Sequence, residues 1–228
     1  METNEVLLPG GYRLFDQEGY KMIGNRKEEF EVKNRSFSDI DGYFSQEISN
    51  SINELLNKHP GVQIRVLDLA GGTESQAVKD IEKEKEFGNR VIALNVDFAQ
   101  SIKKGDGADR VQGDATNIPL ADSSIDIVYS RQLLPFMRRF EPEHDLQVKK
   151  VLSEVARVLK PEGVAFLDDE EELSGAKSDK KRQELADEFG VILETHDSTN
   201  QVEGDRTFPK FWVRNIRQGK FLVMRKLE

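Results

Sequence analysis

The chain has 228 residues, of which 37% are hydrophobic and 33% charged, and its net charge is −9 at neutral pH. This balance argues against extensive disorder, and no apolar run approaches the length of a membrane span. The acidic charge argues against a large nucleic-acid surface, which needs clustered Lys and Arg. Without cysteine there is no disulfide framework and no thiolate zinc site. We therefore expect a cytoplasmic protein with no membrane span and no nucleic-acid partner.

The first 58 residues are predicted to be a lead and a cap helix that belong to the same domain as the rest of the chain. Residues 1–35 are expected to be irregular, with a hairpin around Asp16–Gly19. Apolar residues at helical spacing predict a helix over Ser38–Lys58, which His59-Pro60-Gly61 ends. Residues 59–228 are predicted to form the main, ligand-binding domain.

Residues Val66–Glu74 carry the most informative local pattern of the chain. An apolar strand over Val62–Leu67 ends in Asp68, and Gly71 and Gly72 then give the backbone the freedom of a tight turn. Thr73 and Gln76 have the spacing of a capping box for the next helix. We expect the turn to leave backbone N–H groups available to a ligand. In an open parallel sheet, such a turn lies in the crevice where ligands bind.

Three further segments are predicted to be strands with polar residues at the same edge of the sheet. They are Val91–Asp97, Val111–Ala115 and Ile125–Ser130. In nucleoside sites an acid at the position of Asp97 accepts hydrogen bonds from both ribose hydroxyls. Phe98 is expected to pack on an adenine, and Asp114 to accept from its amino group. Asp126 is expected to support the sheet.

The last part of the chain is predicted to complete an α/β sheet. Helical spacing predicts helices over Asp145–Lys160 and Ser178–Phe189, and Pro161-Glu162-Gly163 separates the first from a strand over Val164–Leu167. Residues 191–195 and 220–224 are predicted to be an antiparallel pair of strands.

Two nucleotide-binding patterns are missing from the sequence. No GxxxxGK[ST] motif occurs, which argues against a phosphate-cradling loop. Ala70, Gly72 and Ser75 occupy the positions of a GxGxxG motif, so a nicotinamide-dependent oxidoreductase is disfavoured. Asp68 would repel a pyrophosphate but suits a ligand that carries an ammonium and a sulfonium.

Five motifs, in this order, resemble those of class I S-adenosylmethionine-dependent methyltransferases. They are Val66–Glu74, Asp97, Gly113–Ala115 with Ile118–Leu120, Asp126–Val128 and Glu154–Gly163. The resemblance spans residues 62–168, and the Asp68–Thr73 motif is similar to that of quinone-biosynthesis methyltransferases of the small-molecule branch. It implies a Rossmann-like, doubly wound seven-stranded sheet, mostly parallel with an antiparallel C-terminal strand. It also implies S-adenosylmethionine as the cofactor and methyl transfer to a small-molecule acceptor.

The cofactor-binding residues that follow from the strand ends and the resemblance form one set. They are Asp68, Ala70, Gly71, Gly72, Asp97, Phe98, Asp114, Ala115 and Ser130. Two residues depart from the family pattern: Ala70 replaces the usual first glycine, and Glu74 stands where a third glycine is common. If the Glu74 side chain points into the pocket, the alternative is a non-catalytic protein of the same fold. Methylation of a protein or of RNA is a further alternative, and the acidic charge disfavours RNA.

No catalytic base is assigned from the sequence. The three candidates, His59, His144 and His196, are all consistent with surface or capping roles. Arg131 lies just after the fourth predicted strand, where an anion-binding role competes with a structural one. The acidic run from Asp168 to Glu171 is expected to be a solvated loop rather than a metal site. Homo-oligomerisation stays open, with Phe208, Phe211 and Trp212 as core or oligomer contacts.

Overall fold

The computed structural model of the protein describes residues 5–7, 12–17, 20–24, 29–31, 34–98, 109–140, 143–169, 173, 178–198 and 220–227. Within these ranges, a four-stranded sheet and a seven-stranded sheet are joined by helices. None of the helices in these ranges is long and apolar enough to cross a membrane. Phe208, Phe211 and Trp212, which we predicted as core or oligomer contacts, lie outside the described residues.

The N-terminal segment forms a small antiparallel sheet. Its strands are β1 (Val6–Leu7), β2 (Arg13–Gln17), β3 (Tyr20–Gly24) and β4 (Glu29–Glu31), which pair in that order. The predicted hairpin is confirmed between β2 and β3, where Gln17 lies opposite Tyr20. The prediction of an otherwise irregular lead was wrong, because strands this short carry too few residues for a clear alternation. Tyr12, Leu14 and Ile23 bury a small cluster of their own.

The predicted helix over Ser38–Lys58 is two helices, α1 (Phe37–Tyr43) and α2 (Glu47–Lys58). Ser45 and Gln46 lie between them with φ of 58° and 63°, a left-handed conformation that interrupts the helix. The Asp41 side chain accepts a hydrogen bond from the backbone N–H of Ser49 at 3.0 Å and so helps to start α2. The break lets the apolar sides of both short helices pack against the large sheet.

The seven-stranded sheet confirms the predicted fold class. Its strands are β5 (Ile64–Leu69), β6 (Val91–Asp97), β7 (Arg110–Gln112), β8 (Ile125–Ser130), β9 (Leu159–Asp169), β10 (Val191–Asp197) and β11 (Lys220–Lys226). The spatial order is β10-β11-β9-β8-β5-β6-β7. Strands β5 to β9 are parallel to their neighbours among themselves, and β11 is antiparallel to both β9 and β10. The order reverses next to β5, where this class of sheet binds ligands at the carboxyl ends.

Helices cover both faces of this sheet. The remaining ones are α3 (Gln76–Lys83), α4 (Leu133–Phe140), α5 (His144–Val158) and α6 (Asp179–Phe189). Residues of α1, α2 and α3 share one buried cluster with Ile64 and Val66, and residues of α4, α5 and α6 share the other with Leu67 and Leu69. Alternate residues of β5 therefore face different layers, which places Asp68 on the α1–α3 side.

Helix α3 begins at Gln76, and Ser75 precedes it with a left-handed φ of 52°. The Nε2 group of Gln76 donates to Asp80 at 2.6 Å, within the helix. The capping box of Thr73 and Gln76 stays a prediction.

Arg157 on α5 fastens the loop Ile118–Asp122 to the helix. Its guanidinium donates to the carbonyl oxygens of Ile118 and Leu120 at 2.7 and 2.9 Å, and it pairs with Glu154 at 2.8 Å. Glu154 accepts in turn from the Ile118 N–H at 2.8 Å. These contacts hold the pKa of Glu154 below its usual value, first because of the hydrogen bond from Arg157. The loop that follows β7 is thus fixed by charge-assisted hydrogen bonds.

We expect Arg157→Ala to lower the free energy of unfolding by about 2–3 kcal/mol, because two backbone carbonyls and Glu154 lose a charged donor. Urea unfolding followed by circular dichroism measures the change. Lys149→Ala is the matched control, since Lys149 lies on the same helix and forms an exposed pair with Glu188; it should change stability by at most about 0.5 kcal/mol. Equal effects of the two variants would contradict the role of Arg157.

Candidate functional site

Residues Ala70–Gly72 form a tight turn after β5, and the carboxyl end of β6 holds it. The three contacts are Ala70 N–H to Val96 O at 2.8 Å, Gly71 N–H to Asn95 Oδ1 at 3.2 Å and Gly72 N–H to Asp97 Oδ2 at 2.9 Å. We predicted that these N–H groups would be available to a ligand, and that prediction was wrong because β6 accepts from all three. The shape of the turn is therefore set within the protein itself.

Asn95 is the positioning residue that sequence reasoning missed. It is fully buried, and besides accepting from Gly71 its Nδ2 donates to Gly72 O at 2.9 Å and to Ser75 Oγ at 2.7 Å. The signal was present in the sequence: a polar side chain interrupts an apolar strand two positions before Asp97, so both share one face. A buried amide must be hydrogen-bonded, which makes such a residue informative.

The backbone of the turn explains its residue types. Ala70 has φ of 66°, a left-handed conformation that costs a residue with a Cβ on the order of 1–2 kcal/mol. This conformation is the physical reason why glycine suits that position in the family that the motifs resemble. At Gly71, a Cβ atom would lie 2.2 Å from Oδ2 of Asp68. Only glycine lets the chain pass this close to the Asp68 carboxyl group.

Asp68 is a buried acid beside this turn, only 2% exposed. It is in register with Asn95 of β6 on one side and Tyr129 of β8 on the other. Within the described part of the chain, no partner lies within ordinary hydrogen-bond distance of Oδ2 of Asp68 or of the Tyr129 hydroxyl. Burial, and next the charge of Asp97, raise the pKa of Asp68 to about 8, while the neighbouring Tyr129 hydroxyl and the charge of Arg35 act in the opposite direction.

The remaining predicted site residues lie along the same edge in different roles. Ser130 Oγ donates to Leu69 O at 2.6 Å and joins the ends of β8 and β5. The Ala115 side chain is buried in the core. Asp114 is exposed, and its Oδ1 accepts from both the N–H and the hydroxyl of Thr116 at 2.8 Å, so it stabilises its own turn. The structure thus brings Asp68, the glycine turn and Asp97 together, and Gly113, which precedes Asp114, donates its N–H to Asp97 O at 3.3 Å.

Phe98, which follows Asp97, packs against the N-terminal sheet. Its ring centroid lies 6.0 Å from that of Tyr12 in an edge-to-face arrangement and 6.3 Å from that of Phe136 on α4. The predicted packing of Phe98 on an adenine stays a prediction. This aromatic cluster places the small sheet against the end of β6.

The segment Asn34–Phe37 crosses the carboxyl edge of the large sheet. Asn34 Oδ1 accepts from the Glu74 N–H at 2.9 Å, next to the glycine turn. Arg35 donates to Gln132 Oε1 at 2.9 Å, in the loop after β8, and the Phe37 N–H donates to Asp80 at 3.0 Å. The segment therefore bridges the ends of β5 and β8, where the reversal of strand order predicts a ligand crevice. The Glu74 side chain is exposed to solvent.

Arg131 and Asp168 form a part-buried ion pair at the ends of β8 and β9. The Arg131 guanidinium also lies over the ring of Tyr43, 3.6 Å from its centroid, and the Tyr43 hydroxyl donates to Asp168 at 2.6 Å. The expectation that the acidic run is solvated was wrong for Asp168, which is buried and binds three donors, the third being the Gln132 N–H. The side chains of residues 169–172 lie outside the described part.

The histidines that the structure describes have structural contacts. His59 caps the end of α2, and His196 Nδ1 lies 2.7 Å from Glu47 at the start of that helix. The side chain of His144 lies outside the described residues. No cluster of acids and histidines that could hold a metal ion occurs in the described ranges. We assign no catalytic base.

Comparison with known proteins identifies this region. Residues 67–167, less than half of the chain, match the family described as a methyltransferase domain. The matched segment begins in β5, ends in β9 and contains the glycine turn, Asn95 and Asp97. This region of the chain is therefore similar to a methyltransferase domain.

One curated relative of this methyltransferase domain is the biotin biosynthesis bifunctional protein BioHC of Cellvibrio japonicus (strain Ueda107). The two are 34% identical over 108 residues, which is 45% of this chain and 19% of that protein. The chain thus spans about a fifth of the length of its relative.

Two solved structures are similar to the chain at low sequence identity. The CurJ carbon methyltransferase is 12% identical with a TM-score of 0.52, over 86% of this chain and 56% of that one. A putative sarcosine dimethylglycine methyltransferase from Galdieria sulphuraria is 19% identical with a TM-score of 0.49, over 82% of this chain and 84% of that one. The CurJ likeness supports the Rossmann-like arrangement of the sheet.

We expect Asn95→Ala to lower the free energy of unfolding by about 2–4 kcal/mol, because it leaves buried polar groups of Gly71, Gly72 and Ser75 without this partner. Urea unfolding measures the change. Asn57→Ala, on the exposed side of α2, is the control and should have an effect within about 0.5 kcal/mol. An Asn95 variant as stable as the parent would show that the turn does not depend on this amide.

We expect Asp68→Asn to remove a pH dependence of stability. The folded protein holds the Asp68 proton up to a pKa of about 8, whereas the unfolded chain releases it near the model-compound value of 3.8. The stabilising effect of that proton is therefore lost as pH rises between these values. Relative to the Asn variant, the parent should lose about 1.4 kcal/mol per pH unit between pH 5 and 7. Urea unfolding at pH 5, 6 and 7 tests this, and parallel curves would contradict it.

Proposed function

We propose that this protein is an S-adenosylmethionine-dependent methyltransferase that acts on a small-molecule acceptor. The observation that carries the proposal is the pair of buried acids, Asp68 and Asp97, on either side of the glycine turn inside the methyltransferase domain. The orphaned Oδ2 of Asp68 and the close passage of Gly71 over it fit a ligand that brings positive charge. Asp97, at the end of β6, is proposed to bind the ribose.

The proposed reaction depends mainly on the alignment of the methyl donor and its acceptor. S-adenosylmethionine supplies a sulfonium methyl whose leaving group is already activated. The protein's part is to hold acceptor and donor in line, which can be worth about 7–11 kcal/mol. The turn that β6 holds and the segment Asn34–Phe37 across the crevice give the fixed walls that such alignment needs. No dedicated catalytic residue is required for an acceptor that is already a good nucleophile.

Residues 1–58 are proposed to be part of the same domain as residues 59–228. Phe44, Ile48 and Ile52 of this segment are fully buried in a cluster that includes strands of the large sheet. Burying an aliphatic or aromatic side chain of this size stabilises by about 1.5–3 kcal/mol, so separating the segment would be costly.

Two observations favour a small-molecule acceptor: the net charge of the chain and its similarity to BioHC. The net charge of −9 disfavours RNA, whose phosphates would be repelled. BioHC, the relative of the domain, is named for biotin biosynthesis, which concerns a small molecule. A protein acceptor is an alternative that the test below separates. The location is proposed to be the cytoplasm, and homo-oligomerisation stays open.

A non-catalytic protein of the same fold is the second alternative. It was motivated by Glu74, which replaces a glycine at the start of the helix that follows the turn. The Glu74 side chain is exposed to solvent, and the Glu74 backbone N–H donates to Asn34. This arrangement supports a cofactor pocket that does not contain the Glu74 carboxylate. Cofactor binding without turnover on any acceptor would favour this alternative.

The proposal is tested by isothermal titration of the full chain with S-adenosylmethionine, with S-adenosylhomocysteine and with NAD as a control. Micromolar binding of the first two alone is the expected result, and binding of neither would contradict the proposal. Transfer of a labelled methyl group to a cell extract separated by molecular mass then locates the acceptor. Label in the low-mass fraction supports a small molecule, whereas label only in protein or RNA would overturn that part.

We expect Asp97→Ala to weaken binding of S-adenosylmethionine by about 1.5–3 kcal/mol, on the order of 10- to 100-fold, because hydrogen bonds to a charged group are lost. Glu74→Ala is the control: it removes a nearby exposed acid and should leave the dissociation constant within about threefold of the parent. Titration calorimetry measures both. Unchanged affinity in the Asp97 variant would refute the ribose assignment.

A further inference from the structure

We propose that Asp68 releases a proton when the positive charge of the methyl donor enters the crevice, so that the site selects a cationic ligand by exchanging one charge for another. The inference rests on the proposed function and adds the residue that would set this selectivity. In the exchange the carboxyl O–H bond breaks, the proton leaves to solvent, and the carboxylate then pairs with the incoming cation. The net charge of the site is unchanged.

The geometry that carries the inference is a buried cluster of titratable groups. Asp68, Asp97 and Tyr129 are 2%, 7% and 0% exposed, on three neighbouring strands. Asp68 Oδ2 and the Tyr129 hydroxyl have no partner within ordinary hydrogen-bond distance in the described part of the chain. A buried carboxylate without a close partner is unfavourable, so burial favours the neutral acid at Asp68.

The two acids are not equivalent. Asp97 accepts a hydrogen bond from the Gly72 N–H at 2.9 Å, whereas Oδ2 of Asp68 has no partner at such a distance among the described residues. Asp68 is less exposed to solvent than Asp97 and lies close to Gly71. Burial and the charge of Asp97 raise the pKa of Asp68 to about 8. Burial disfavours the charged form of an acid, and the nearby Asp97 carboxyl group adds to this effect. Asp68 is thus the group that a new positive charge would ionise.

The charged groups around the cluster do not neutralise its acidic character. Arg35, in the segment Asn34–Phe37, lowers the pKa of Asp68, but by less than burial and the charge of Asp97 raise it. Burial and the neighbouring Asp68 raise the pKa of Tyr129, and Asp80 of α3 and Asp41 of α1 add negative charge in the same direction. A cation that enters next to Asp68 therefore meets an acidic surrounding on the α1–α3 side.

The test is titration calorimetry of the full chain with S-adenosylmethionine at pH 6.5, in buffers that differ in their heat of ionisation. Because the pKa of Asp68 is about 8, we expect about one proton to be released per ligand bound. Asp68→Asn should release none. Asp126→Asn is the matched control and should release as many as the parent, since Asp126 lies at the opposite edge of the sheet, bound to Lys160 and Arg65.

A second measurement keeps the test decisive if the Asp68 variant does not fold. The affinity of the parent for S-adenosylmethionine should rise about tenfold between pH 5.5 and 6.5, because each bound ligand must displace a proton. Affinity that does not change with pH, together with no proton release, would overturn the inference.

S-adenosylhomocysteine, which keeps the ammonium but not the sulfonium, separates the two sources of charge. Proton release with both ligands supports pairing of Asp68 with the ammonium, and release with S-adenosylmethionine alone supports pairing with the sulfonium. Binding without proton release, or release that persists in Asp68→Asn, overturns the inference and leaves the proposed function intact. No binding of S-adenosylmethionine overturns the proposed function itself.

Discussion

The carboxyl end of β6 holds the glycine turn after β5, and the rest of the candidate site depends on this contact. Asn95 binds the turn on both its N–H and C=O sides, and Asp97 accepts from Gly72. These bonds fix the backbone of Ala70 in a conformation that is unfavourable for any residue but glycine. Because the turn is already ordered by these bonds, it loses little conformational entropy when a ligand binds.

The same contact creates the electrostatic character of the site. The turn passes closely over Asp68 at Gly71 and covers its carboxyl group. Among the described residues, Oδ2 of this group has no partner within ordinary hydrogen-bond distance. Elsewhere on the same edge, acids are matched: Asp168 binds Tyr43, Arg131 and the Gln132 N–H. The contrast between an acid with several hydrogen-bond partners and one without a close partner for Oδ2 marks the carboxyl end of β5, next to β6 and β8, as the place for a cationic ligand.

Much of the fold and part of the site could be predicted from the sequence. The bounds of β6 and β8 follow from apolar runs that end in polar residues, and the same runs point to Asp68 and Asp97. The contacts of the turn could not be predicted, because its partners lie about 25 residues away in β6. The N-terminal sheet was missed because its strands are too short for their alternation to be distinctive.

We propose that the donor binds between Asp68, the glycine turn and Asp97. A crystal structure of the protein with S-adenosylhomocysteine would show where the ligand lies. We predict electron density for the ligand in this crevice, with its ribose hydroxyls within hydrogen-bond distance of Asp97 and its ammonium or sulfur on the Asp68 side. Ligand density elsewhere on the chain, with the crevice at the ends of β5 and β6 left empty, would contradict the account.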